Sequence, residues 1–324
     1  MVITTRRSIP LTCWTVVCGL ALVLLSPALP AAQSRFSGIV VFGTSLSDSG
    51  NAFALVGDQS TPPDFTLNPL LVPSAPYAKG GHHFSNGATW IEQFGRSVGL
   101  DGAIRPALAS NSSVATNFAV GAARAYADGI NFNLTQQVDG FLQRSNGVAS
   151  SQALYVIEMG SNDVRDSFAV YAAGGNGGPV LTQAIESIAH NIHRLYMAGA
   201  RQFLIWVVPN IALTPAIRSL GPAAGALAGQ LSMSFNAGLT GTLAQLTAML
   251  PGVSFTRLDA NQLLNAIVAD PAAFNLTNVS SACVTANVVP FTCESPDEYL
   301  FWDGIHPTKA AHRLLAIEAA HVLE

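Results

Sequence analysis

Short apolar runs alternate with longer segments of helical periodicity along most of this chain. A strand buried on both faces of a parallel sheet has this kind of apolar run, because neither face meets water. Such runs lie at residues 38–42, 114–120, 153–158, 203–208 and, most weakly, 253–258. The pattern therefore predicts a sheet of five strands.

Helical patterns fill the segments between these runs. They are predicted at residues 87–98, 179–198, 223–250 and 307–323. Gly199 is placed to cap the end of the second helix, and Pro307 falls in the first turn of the last. Alternating strands and helices imply crossover connections and a mostly parallel sheet with helices on both faces, which is an α/β fold. In such sheets the active site collects at the carboxyl ends of the strands.

Two segments do not follow this alternation. Residues 57–83 are rich in Pro and Gly and predict a long surface loop near a substrate cleft. Residues 1–32 combine Arg6 and Arg7 with an apolar stretch and small residues, which predicts a cleaved signal peptide. The rival, a retained anchor, is disfavoured because the apolar stretch is shorter than the ~20 residues that span a bilayer. Residues 33–324 are predicted to form a single domain, secreted or periplasmic, and Sec and twin-arginine export both stay open.

Composition narrows the function classes. Of the 324 residues, 49% are hydrophobic and 10% are charged, and the net charge is −4. No run of Lys or Arg follows the first ten residues, so the electrostatic footprint of a nucleic-acid-binding protein is missing. The adjacent residues His82 and His83 would point apart on regular backbone, which disfavours a metal site. We therefore expect no nucleic acid partner, no metal and no cofactor.

The cysteines indicate one covalent link. Removal of the signal peptide leaves Cys283 and Cys293, and an even pair in an exported protein predicts a disulfide. Two free buried thiols are the alternative. The link would end ten residues before Asp303, and we expect it to stiffen the segment that leads there.

Several polar residues that could take part in catalysis lie just after the first predicted strand or just before the last predicted helix. Ser45 stands in a turn directly after the first strand, where a catalytic serine or an ordinary turn serine would both fit. Asp48 either supports that turn or starts a helix, and the sequence favours the helix start. Asp303 and His306 are three residues apart before the last helix, so the carboxylate can orient the imidazole toward a serine.

Backbone and amide donors follow two other strands. Gly121 follows the second predicted strand, and a glycine there lets a backbone N–H approach a ligand. Asn162 follows the third strand, where its side-chain amide can donate to an oxyanion. Each residue by itself is also consistent with an ordinary turn.

Together these segments resemble the SGNH hydrolases, also called GDSL esterases and lipases. The four letters correspond here to Ser45, Gly121, Asn162 and His306. The resemblance implies a flavodoxin-like three-layer α/β/α sandwich with a central, mostly parallel five-stranded sheet. It also implies that Ser45, Asp303 and His306 form a catalytic triad, and that Ser45, Gly121 and Asn162 supply the oxyanion hole.

Accessory segments extend the resemblance from about residue 38 to the end of the chain. The sequence HFSNG at residues 83–87, with Trp90 and Glu92, is similar to one of them, and GAR at residues 199–201 begins another. Two departures stand out. The signature Gly-Asp-Ser-Leu is Gly-Thr-Ser-Leu here, with Thr44 in place of Asp, and Gly121 is followed by Ala122 instead of a second glycine. The single glycine could align with either position, so the backbone donor stays open.

The resemblance implies a serine carboxylic ester hydrolase that works through an acyl-enzyme. Its substrates would be small-molecule or lipid esters, as for a lipase, a phospholipase or a short-chain esterase. A carbohydrate acetylesterase is the alternative within the same fold. A non-catalytic binding protein on the same scaffold is the alternative from another class, and Thr44 is the feature that favours it. After signal cleavage no integral membrane segment is expected, although transient contact with a lipid surface is compatible with the sequence.

Overall fold

A computed structural model describes residues 35–56, 82–109, 112–284 and 292–324. The predicted signal peptide and nearly all of the predicted loop at 57–83 lie outside the described residues. Within the described ranges, no helix is both long and apolar enough to cross a membrane.

The central sheet has four parallel strands whose spatial order follows the sequence. They are β1 (Ile39–Gly43), β2 (Leu154–Glu158), β3 (Gln202–Val207) and β4 (Ser254–Asp259). Every residue of β1 and β2 is buried, which explains their continuous apolar runs, whereas β4 lies at an edge and is largely accessible. The predicted α/β class with a parallel central sheet is confirmed.

The second predicted strand, residues 114–120, does not form a regular strand in the structure. Of residues 114–120, only Asn117 makes bridges, to Val41 of β1 and to Pro106. The Asn117 side chain turns toward the loop after β1, where it donates to the Ser47 carbonyl oxygen at 2.8 Å. Three backbone hydrogen bonds of 2.8 to 3.1 Å still join residues 116–120 to β1, so the segment lies along the edge of the sheet as an irregular extension of it.

The helices pack in two groups around the sheet. In one group α2 (Trp90–Ser97) contacts α9 (Lys309–Val322). In the other group four helices contact one another: α3 (Leu134–Arg144), α4 (Ser161–Ala172), α5 (Gly178–Ala198) and α7 (Pro222–Met249). Three shorter helices complete the described set: α1 (Asn51–Val56), α6 (Pro215–Arg218) and α8 (Ala260–Ala269). This arrangement is the helix–sheet–helix sandwich implied by the resemblance.

The predicted helices end within one residue of the observed ones, but two starts differ: α2 begins at Trp90 instead of residue 87, and the last helix begins after Pro307. Gly199 caps α5 with a φ of 123°, a left-handed conformation that glycine adopts without steric cost. The last helix begins at Lys309 and is capped by the Thr308 hydroxyl, which accepts the Ala311 N–H at 3.2 Å. Pro307 therefore precedes the cap and is not in the first turn, because Thr308 supplies the better cap.

A second, small sheet lies beside the last helix. Strands β5 (Asn278–Ala282) and β6 (Tyr299–Phe301) pair in parallel. β6 ends two residues before Asp303. It therefore places Asp303 at the carboxyl edge of the main sheet, where the loops after β1 and β2 begin.

Candidate active site

The Ser45 side chain faces an imidazole that comes from the far end of the chain. Its Oγ lies 2.8 Å from Nε2 of His306, across 261 residues of sequence. β1 ends at Gly43, and a Cβ at that position would lie 2.9 Å from the Glu158 carboxyl. A side chain there would also crowd the Cβ atoms of Ser47 and Ala119 at 3.1 and 3.3 Å, so glycine leaves room for the Glu158 carboxyl beside the loop that carries Ser45.

Asp303 holds His306 through a tight loop. Its Oδ2 lies 2.8 Å from Nδ1 of His306, and its Oδ1 accepts the backbone N–H groups of Ile305 and His306 at 2.9 and 2.8 Å. Both side chains are buried. Because Nδ1 is bonded to the carboxylate, Nε2 is the ring nitrogen left to face Ser45. The structure thus brings together the three residues predicted as a triad.

The accessory segment at residues 83–87 contacts the backbone just after His306. The Ser85 hydroxyl donates to the Pro307 carbonyl oxygen at 2.9 Å, and the Asn86 side chain accepts the Lys309 N–H at 2.6 Å. The Phe84 ring lies 5.5 Å from the imidazole of His306. The segment that resembles the family therefore holds the histidine loop against the start of α9.

Asn162 lies in the first turn of α4, immediately after β2. Its Nδ2 donates to the Ala123 carbonyl oxygen at 2.8 Å, and its Oδ1 accepts from the Arg165 guanidinium at 3.2 Å. A carbonyl can only accept and a guanidinium can only donate, so these two partners fix the amide orientation. The second Nδ2 hydrogen stays available for a ligand. Sequence reasoning missed Arg165, although its position one turn after Asn162 places both on one helix face.

The Gly121 N–H, predicted as an oxyanion donor, has another partner in this structure. It donates to Oδ2 of Asp48 at 2.8 Å. The next residue, Ala122, has a φ of 65°, which is the left-handed conformation that a glycine would adopt more easily. A Cβ on Gly121 would lie 2.3 Å from the Phe84 ring, so the glycine is required for packing beside His306.

Asp48 combines the two roles that the sequence left open. Its carboxylate accepts the N–H groups of Gly50, Asn51 and Ala52 at 2.6 to 3.0 Å, which starts α1, and it also holds Gly121. Burial raises the pKa of Asp48 to about 6, even though these backbone hydrogen bonds favour the ionised form. The predicted helix start is present, and the same carboxylate links the Ser45 loop to the Gly121 loop.

Glu158 is the second residue that sequence reasoning missed. It ends β2 and is fully buried, and it accepts hydrogen bonds from the Thr44 backbone N–H at 2.8 Å and the Thr44 hydroxyl at 3.0 Å. Burial raises the pKa of Glu158 to about 8, against the opposite effect of the Thr44 and Ser47 hydrogen bonds. An acidic residue ending an otherwise apolar strand was the available signal.

The cleft around Ser45 is mostly apolar. Its cavity volume is about 60 Å³, and the polar side chains of Asn162 and Arg165 share the wall with Ile211, Ile217 and Ile305. Such a mixture of apolar walls and a few convergent polar groups is typical of small-molecule sites. Among the described residues, no cluster of His, Cys, Asp or Glu could hold a metal ion, and His83 pairs with Glu92 at 2.9 Å.

The predicted disulfide between Cys283 and Cys293 is present. It lies against the strand that leads to the site, because the Cys283 N–H donates to the Phe301 carbonyl oxygen at 3.0 Å. The Val284 N–H likewise donates to the carbonyl oxygen of Trp302, the residue before Asp303, at 2.8 Å.

The chain is similar in sequence to known esterases and lipases. The family model described as GDSL-like Lipase/Acylhydrolase matches residues 39–319. Esterase EstA of Pseudomonas aeruginosa and Esterase EstA of Pseudomonas putida are each 29% identical to the chain, over 90% of its length and 47% of theirs. A GDSL esterase/lipase of Arabidopsis thaliana is 25% identical over 88% of both chains. The chain thus spans about half the length of the two EstA proteins.

Proposed function

The chain belongs to the GDSL-like lipase/acylhydrolase family, a family of ester hydrolases, and we propose that it works through Ser45, Asp303 and His306 as a catalytic triad. One observation carries this proposal. Hydrogen bonds of 2.8 Å join Ser45 to His306 and His306 to Asp303 in an unbroken relay. A serine hydroxyl is a weak nucleophile at neutral pH, and such a relay is the arrangement that activates it.

The proposed reaction proceeds through an acyl-enzyme. Ser45 Oγ attacks the carbonyl carbon of the ester while Nε2 of His306 takes its proton, and Asp303 stabilises the imidazolium that forms. His306 then donates that proton to the departing alcohol as the acyl–oxygen bond breaks. A water molecule, activated by the same nitrogen, attacks the acyl-enzyme, releases the carboxylic acid and restores Ser45.

The oxyanion of each tetrahedral intermediate needs preorganised donors. We propose the Ser45 backbone N–H, the free Nδ2 hydrogen of Asn162 and the Ala122 backbone N–H. Ala122 takes the place of Gly121 because the Gly121 N–H donates to Asp48. The first turn of α4, which carries Asn162, also directs the positive end of a helix dipole toward the cleft.

We propose that the substrates are carboxylic esters of the kinds that lipases, phospholipases or short-chain esterases hydrolyse. The apolar cleft supports this choice over a carbohydrate ester, whose hydroxyl groups would need more polar partners. We also propose that the protein is exported as a single domain comprising residues 33–324. The signal-like pattern of residues 1–32 and the disulfide, which persists in oxidising compartments, support export.

Labelling with a fluorophosphonate probe and hydrolysis of p-nitrophenyl acetate test the mechanism together. The wild type should be labelled and active, and Ser45→Ala should lose labelling and roughly 10⁴–10⁶-fold in kcat. Ser49→Ala is the matched control, because its hydroxyl donates to the Ile104 carbonyl and does not contact His306. A wild type that neither labels nor hydrolyses any ester would support the binding-protein alternative.

A further inference from the structure

A second pocket adjoins the catalytic cleft and is almost entirely apolar. It is a narrow cavity of about 70 Å³ between α8, α9, β6 and the residues that follow β1 and β3. The wall includes Leu263, Leu264 and Ile267 of α8 together with Leu315 of α9. No charged side chain lines it.

The pocket shares part of its wall with the place where the ester carbonyl would sit. Four residues line both the pocket and the catalytic cleft: Leu46, Pro209, Thr214 and Ile305. Leu46 follows Ser45 directly, and Ile305 precedes His306. A chain attached to Ser45 therefore meets the apolar wall within one residue of the nucleophile, on the side shared with the histidine loop.

The few polar atoms of the wall leave little to attract a polar group. The Thr214 hydroxyl donates to the Ile211 carbonyl oxygen at 2.7 Å. The Trp206 indole N–H is buried and has no hydrogen-bond partner among the described residues. One uncharged donor among aliphatic side chains can bond a water molecule, but it does not suit a sugar or a charged headgroup, each of which needs several partners.

We infer that this pocket binds the acyl chain of the substrate, and that the preferred substrates are esters of acids much longer than acetic acid. The inference rests on the proposed function, because Ser45 is the point where the acyl carbonyl is held. The alcohol part of the ester would then occupy the more polar side of the cleft, where Arg165 and Asn162 lie.

Small residues in the wall allow the pocket to be filled without altering the triad. Ala260 begins α8 and Ala311 lies in α9, and both are buried at the pocket wall. Leucine at either position adds three carbons to the space that the acyl chain would use. Leu264→Ala makes the opposite change, because it removes carbons from the wall. Ala266→Leu is the matched control, since Ala266 is exposed on the same helix and does not line the pocket.

The decisive experiment measures kcat/KM for p-nitrophenyl acetate, butyrate, octanoate and palmitate. In the wild type, each methylene that enters the pocket should raise kcat/KM by about fourfold until the pocket is full. Ala260→Leu and Ala311→Leu should lower the octanoate value at least tenfold and leave acetate within twofold. Leu264→Ala should raise the ratio of palmitate to butyrate, and Ala266→Leu should match the wild type. A wild type that prefers acetate, or an Ala260→Leu variant that loses all esters equally, would overturn the inference.

Calorimetric titration with octanoate gives a readout that needs no turnover. The wild type should bind octanoate, and Ala260→Leu should raise the Kd about tenfold. If octanoate binds in this way while no ester is hydrolysed, the proposed function fails and the pocket assignment stands. If acetate is hydrolysed but octanoate does not bind, the proposed function stands and the acyl pocket is wrong.

Discussion

Thr44, which stands where the family signature has Asp, donates both its backbone N–H and its hydroxyl to the buried carboxyl group of Glu158. The signature position therefore keeps a carboxyl beside it, although the carboxyl comes from the neighbouring strand β2. Since Thr44 directly precedes Ser45, this pair holds the nucleophile's loop onto the sheet. Glu158 acts on the site through Thr44 and is a positioning residue.

Glu158→Gln should change how stability depends on pH. The pKa of Glu158 is raised from its usual 4.5 to about 8, so between these pH values the folded state holds a proton that the unfolded chain lacks. Its contribution to the free energy of unfolding is therefore greatest below about pH 4.5 and is lost as pH rises toward 8. Glutamine keeps an acceptor for the Thr44 N–H and a donor for its hydroxyl without titrating.

Urea unfolding at pH 5, 6.5 and 8 measures this effect. The free energy of unfolding of Glu158→Gln, relative to that of the wild type, should rise by a few kcal/mol from pH 5 to pH 8. Asp48 and Asp163 also have raised pKa values because they are buried, but they are common to both proteins and cancel in the comparison. Glu186→Gln, on an exposed position of α5, should show no such change. Parallel pH profiles for the wild type and Glu158→Gln would contradict the prediction.

Restoring the family signature by Thr44→Asp should weaken this protein. The new carboxylate would face Glu158 at hydrogen-bond distance in a buried site, where two such groups cannot both ionise at low cost. We expect a loss of roughly 2–4 kcal/mol in stability and a lower kcat. The double variant Thr44→Asp with Glu158→Gln should recover most of both losses, as a double-mutant cycle would show. If Thr44→Asp alone were as stable and as active as the wild type, the proposed interaction between residues 44 and 158 would be ruled out.

Arg165→Met should lower kcat about tenfold to hundredfold. Without the guanidinium, Oδ1 of Asn162 loses its donor and the Ala123 carbonyl is the remaining described partner of the amide, so the amide is held less firmly and donates less well to the oxyanion. Arg165→Lys should restore part of the rate, because an ammonium group can still donate to Oδ1. Arg218→Met, at an exposed position of α6, is the control. Equal effects on kcat and on thermal stability would point instead to a structural role.

Cys283→Ser should destabilise the protein by about 2–3 kcal/mol, because the link closes a loop of ten residues. The same segment is hydrogen-bonded to Phe301 and Trp302, so kcat should also fall. Thermal unfolding and p-nitrophenyl ester hydrolysis under oxidising conditions measure both effects, and reductant should shift the wild type toward the variant. Unchanged stability and turnover would show that the disulfide does not stiffen the approach to Asp303.

Much of the fold followed from local pattern. The runs that became β1, β2 and β3 are apolar because both sheet faces are covered, and this signal needs no knowledge of neighbours. Helices α3, α4, α6 and α8 were missed. α4 begins with Ser161, Asn162 and Asp163, which suit a turn as well as a helix start, and only the packing of α4 against α5 and α7 decides between them.

From sequence alone, the α/β class, the disulfide pair, and the identities of Ser45, Asn162, Asp303 and His306 could be predicted. The class rests on the alternation of strands and helices, the disulfide on an even pair of cysteines, and the four site residues on the resemblance to the SGNH hydrolases. The tertiary structure decided the rest: that Glu158 lies under Thr44, that Gly121 bonds to Asp48, that Arg165 orients Asn162, and that an apolar pocket opens beside Leu46. These relationships join residues from different loops and strands. Their distances depend on how close the strands pass and how the loops between them turn, which the order of residues does not express.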